Sequence, residues 1–184
     1  MKAVADAQVG AIDDIGIEDK NLWDDFASSI SHGLVAGLDD GEVDKGKYAE
    51  IIAAVSEGAV AGSQDLNEKL SDDELKALIG GVSAGATDGL ADAGIPKEEF
   101  NQYTDDIADG AGAGLAEVDV PQTVKDSMEQ KIGESVGDAL ADSGLSQSEI
   151  DAAEAAAKAK AESSSTETAT TQTMPDTSGT TTTM

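Results

Sequence analysis

Apolar residues recur along this chain at helical spacing, in stripes that restart at a regular interval. After Leu70, the residues Leu75, Leu78, Ile79, Val82, Ala86 and Leu90 fall on one helix face, the pattern of a helix with one buried side. Phe100, Tyr103, Ile107, Ala111 and Leu115 repeat it, and so do Val124, Met128, Ile132, Val136 and Leu140. Earlier copies run Leu22, Phe26, Ile30, Leu34, Leu38 and Tyr48, Ile51, Ile52, Val55, Ala59. The spacing predicts five helices.

Their beginnings and ends are marked. Ser71-Asp72-Asp73-Glu74 is a capping box, in which the serine accepts from the backbone three residues on and the glutamate reaches back. Pro96 sits where a first turn has no use for its missing N–H. Gly94 and Gly144 offer left-handed stops. The turn residues Leu70, Ile95, Val120 and Leu145 are 25 residues apart, with Val43 27 before Leu70 and Ile17 26 before Val43. A fixed period of this size indicates a repeat architecture with one helix per unit. Connections of about five residues favour antiparallel neighbours.

Each helix also carries a pair of small residues four apart: Gly33/Gly37, Gly58/Gly62, Gly85/Gly89, Gly110/Gly114 and Ser135/Ala139. An interior glycine costs about 1 kcal/mol against alanine, so its recurrence at one offset points to close helix approach. The bulky Trp23, Phe26, Tyr48, Phe100, Tyr103 and Met128 lie in the N-terminal halves. The expectation is that the wide half of one helix meets the narrow half of its antiparallel neighbour.

The expected fold is therefore all-α, an up-and-down antiparallel array or bundle of single-helix repeats of about 25 residues with a disordered C-terminal tail. Residues 1–16 read as a loose N-terminal segment and 17–144 as a five-helix repeat domain. Residues 145–162 open with the capping box Ser146-Gln147-Ser148-Glu149, but beyond Ile150 they hold only small and charged residues. A weakly packed sixth helix is expected there. Residues 163–184 are Thr/Ser-rich with almost no apolar bulk, the composition of a disordered tail.

Charge narrows the partners. The chain carries 38 acids and 11 bases, a net −27, and every base is lysine. Without arginine the bidentate clamp for phosphate is missing, and a strongly acidic chain does not bind nucleic acid through a basic groove. Protein partners or self-association are expected instead, with divalent cations a weaker alternative. Cysteine is absent, which removes disulfides and thiol chemistry. No apolar core of a secretory leader follows Met1, and no run approaches the ~18 apolar residues of a membrane span, so no membrane insertion is expected. Localisation is not written in these residues.

No residue qualifies as catalytic, cofactor-binding or metal-ligating. His32 is the lone histidine, without the nucleophile that catalysis would require or the ligand set of a zinc site. The acidic turn at Asp40 fails the EF-hand pattern, because Lys45 stands at its sixth position and Ile51 at its twelfth. Adjacent acids such as Asp105/Asp106 point about 100° apart on a helix, unlike an acid/base dyad. The expectation is a non-enzymatic structural or protein-interaction protein without cofactors, a subunit of a larger assembly such as a virion or surface layer. An acidic calcium-binding module and an enzyme with an all-carboxylate site are the alternatives.

Overall fold

The computed structural model describes residues 1–41 and 43–172, with side chains as far as residue 166. These residues form seven α-helices and no strands: α1 (Lys2–Gly10), α2 (Trp23–Asp40), α3 (Tyr48–Ala61), α4 (Asp72–Asp92), α5 (Phe100–Glu117), α6 (Gln122–Leu140) and α7 (Gln147–Gln172). The caps read from sequence are in place. Ser71 accepts from the Glu74 N–H at 3.3 Å while Glu74 accepts from the Ser71 N–H at 2.7 Å. Ser146 and Glu149 repeat the arrangement. Gly94 and Gly144 take φ of 66° and 79° at the turns before α5 and α7.

The helices form two rows. One contains α1, α3, α5 and α7, the other α2, α4 and α6, and the chain alternates between them. Consecutive helices run up and down, so the neighbours within a row are next-but-one helices running parallel. Those parallel seams are the closest in the molecule, and the small residues make them. Gly58 of α3 and Gly62, the residue that follows that helix, lie on the backbone of Lys2 and Asp6; Gly81, Gly85 and Gly89 of α4 lie on Asp24, Ser28 and His32; Gly110 and Gly114 of α5 lie on Ala53 and Glu57. Four residues forward on one helix is four forward on the other, the mark of a parallel pair. A methyl group on Gly85 or Gly110 would stand 2.0 Å from a carbonyl oxygen of the neighbour.

The expectation for the small pairs is thus corrected in its partner. A narrow C-terminal half does meet an N-terminal half, but that half belongs to the parallel helix two units earlier. Bulky side chains go elsewhere. Tyr48, Leu75, Leu78, Ile79, Ile107 and Met128 fill the single core between the rows.

Both ends depart from the sequence reading. Residues 2–10 form a helix in place of a loose segment, because Ala5 and Val9 are fully buried against α3. Two glycines let so small a face dock, and Lys2 secures it through Glu57 at 2.8 Å and Glu117 at 2.7 Å. At the other end α7 packs against both α5 and α6. Its stripe Ala153, Ala157 and Ala161 is buried; Gly112 of α5 lies on the Ala161 backbone, while Gly133 and Gly137 of α6 lie against Glu154 and Lys158 at the edge of that stripe. Alanine serves as a core residue where the opposing helix is glycine. The helix runs past the expected end at 162, with Ser164 and Ser165 buried. Residues 173–184 of the expected tail lie outside the described residues.

Candidate functional site

Polar chemistry and uncovered backbone collect in three places. The first is a cleft of about 430 Å³ where the end of α4 meets the start of α5 and the end of α6, lined by Asp88, Phe100, Lys97 and Asp142 among others. Burial pushes the Asp88 carboxyl up from its ordinary range; His32 draws it down, while Asp142 and Asp92 push it further up. His32 bonds Asp92 across the α2–α4 seam at 2.9 Å and is half-exposed. The one histidine is therefore engaged with a carboxylate and fastens two helices. A nucleophile is activated by a base in hydrogen-bond reach, and this imidazole is turned to Asp92.

The second lies along the α5–α7 seam. Burial raises the Asp105 and Asp106 carboxyls, and Asp109 and Asp105 add to the effect at Asp106 while Lys160 opposes it. Lys160 reaches Asp109 at 3.1 Å, Ser164 donates to Asp109, and Ser165 donates to the buried Glu129. These bonds fasten the end of α7. The acidic turns serve caps in the same way: Asp44 accepts from the Gly46 N–H at 3.0 Å. Among the described residues no three of His, Cys, Asp and Glu are placed to hold a metal ion. No described helix is long and apolar enough to cross a membrane.

The third is the outer side of α2. The sequence puts Leu22, Phe26, Ile30, Leu34 and Leu38 on the buried stripe, yet Leu22 is 43% and Phe26 38% exposed. The buried stripe is the adjacent one: Trp23, Ala27, Ser31, Val35 and Leu38. Gly33 and Gly37 have nothing within 4 Å of where a Cβ would stand. Each later glycine pair rests on the helix two units earlier; among the described residues no such helix lies on α2. No separate signal in the sequence marks this, since Gly33/Gly37 sits at the same offset as the later pairs. The chain matches no protein-family model and no curated protein.

Proposed function

We propose that this chain is a non-enzymatic structural or protein-interaction protein that works as a subunit of a larger assembly. One observation carries the reading: the row α2–α4–α6 begins with an uncovered side on which apolar side chains stand beside bare glycine backbone. Stacked repeats bury each other's faces, and an end that lacks a polar cap is an end on which something else sits. The polar clusters support the same reading, since their hydrogen bonds join helix to helix or cap a helix. Sedimentation velocity on the intact chain, from micromolar to submillimolar and from low to molar NaCl, tests it. The expected result is a mass above the 18.6 kDa of one chain, for the chain alone or in a stoichiometric complex with another protein. A chain that remains at that mass and takes up no protein refutes it.

A further inference from the structure

We infer that the uncovered side of α2 is a self-complementary interface that pairs two copies of this chain antiparallel about a two-fold axis. The inference rests on the reading above and names its partner as a second copy.

Leu22, Phe26, Ser29, Gly33 and Gly37 are all exposed, and at about 100° per residue they fall within roughly 80° of arc. The residues that α2 presents to α4, Asp24, Ser28 and His32, lie well around the helix from this face. The open side therefore continues the row outward. It holds two projecting side chains in its N-terminal half and two gaps in its C-terminal half. Their spacing matches. Phe26 and Gly33 are equally distant from the point between Ser29 and Ile30, and so are Leu22 and Gly37. In an antiparallel pair with its axis at that point, Phe26 of each copy lies over the other copy's Gly33, and Leu22 over the other's Gly37. An isologous contact requires such self-complementarity.

The competing arrangements fit less well. A parallel pair puts Phe26 on Phe26 and glycine on glycine, bulk against bulk and gap against gap. Head-to-tail stacking would bring in the outer side of α7, where Asp151, Ala152, Ala155, Ala156 and Ala159 are exposed. None of these side chains can fill the groove at Gly33 and Gly37.

Each chain carries −27; Leu22, Phe26, Ser29, Gly33 and Gly37 are neutral, and Asp40, at the same angle as Leu22, puts a carboxylate at the end of the face. Carboxylates approach one another at the ends of the contact, where Asp40 of one copy comes opposite Asp19 of the other. Association should therefore tighten as salt screens that pair.

The chain contains no cysteine, so single-cysteine variants report the geometry directly. Ser29→Cys places the thiol beside the axis, and mild oxidation should give a covalent dimer. Ala156→Cys, on the exposed side of α7, should not. Gly33→Leu fills space that is open in one copy, so its helical signal should be kept and the melting temperature of the monomer should not fall. Its dimer dissociation constant, from sedimentation equilibrium, should rise at least about tenfold. Phe26→Ser should weaken the dimer as well. A mass above one chain that neither Gly33→Leu nor Phe26→Ser lowers, with no cross-link in the Ser29→Cys variant, overturns this interface and leaves the assembly reading standing. A chain that never self-associates but forms a stoichiometric complex with a different protein does the same. A chain that associates with nothing overturns both.

Discussion

A methyl group added at Gly85 should destabilise the fold, while the same methyl added at Gly33 should stabilise it, although the two glycines hold equivalent places in their repeats. On α4 the new Cβ of Gly85→Ala would lie 2.0 Å from the Ser28 carbonyl oxygen, 2.6 Å from its carbon and 2.7 Å from its Cα. Ordinary contact begins at 3.4 Å, and the atoms in the way are backbone, which no rotamer change can move. The α2–α4 seam must open along its length, and overpacking of this kind costs about 1–3 kcal/mol. The gain in helix propensity is only about 1 kcal/mol, so the seam decides the sign and the net loss should be of order 1–2 kcal/mol. At Gly33 nothing stands within 4 Å, and the propensity gain of about 0.5–1 kcal/mol remains. Thermal and denaturant melts followed by far-UV circular dichroism, on chain dilute enough to be monomeric, measure both. A chain of this size shifts in Tm by about 2–4 °C per kcal/mol, so the two variants should fall on opposite sides of the parent. If Gly85→Ala melts higher, or if both variants move together, the small pairs are not seams and the row architecture is refuted.

Charge and the ends of the chain supply three more expectations. With −27 on a compact body, Tm should rise from low to molar NaCl as repulsion is screened; a flat or falling curve means that the acids are locally compensated. Asp106 is raised chiefly by burial, so the folded chain holds that proton more tightly than the unfolded one, and ionisation removes stability as pH rises through the folded pKa. Asp106→Asn should thus raise Tm at neutral pH, with the difference vanishing below the unfolded value of about 3.9; a lower Tm at neutral pH contradicts this. Truncation after Glu162 removes Ser164 and Ser165, donors to Asp109 and Glu129, and should cost about 1–3 kcal/mol; an unchanged denaturation midpoint would mean that the last turns of α7 contribute nothing to the fold.

The helices α2 to α6 were legible because three independent signals agree on them. The apolar period, the caps and the repeat interval all restart together at Leu70, Ile95 and Val120. The glycine pairs were legible as packing surfaces, because their propensity cost recurs at one offset. Their partners were not. Periodicity states which side of a helix is small, and short turns state that consecutive helices are antiparallel, but neither says which helix lies on the small side. That depends on how the chain distributes successive helices between two rows, which is a property of the whole packing.

At the ends the capped helix after Leu145 was expected and is present, but its close packing and the helix α1 were missed, for a related reason. Hydrophobic stripes identify helices that bury bulk, whereas α1 and α7 are held by backbone approach. Ala5 and Val9 suffice for α1 because Gly58 and Gly62 bring α3 to its main chain. Alanine suffices for α7 because Gly112 brings α5 onto the backbone at Ala161 and Gly133 brings α6 to the backbone at Glu154 and Lys158. At close range a methyl group contacts what a leucine would reach from further out, so a stripe scored by side-chain size undercounts the contacts it makes. The same logic reads α2 in reverse. Its apolar stripe is as regular as the others, and its Gly33/Gly37 pair sits at the same offset, yet Phe26 and Leu22 stand exposed. Burial in a repeat array comes from the neighbouring unit, and among the described residues no helix lies on the Gly33/Gly37 pair. That makes the outer side of α2 the one helix face among the described residues with the pattern of a seam and no helix of its own chain on it, and the candidate site had to be found by asking what each copy of the repeat lies against.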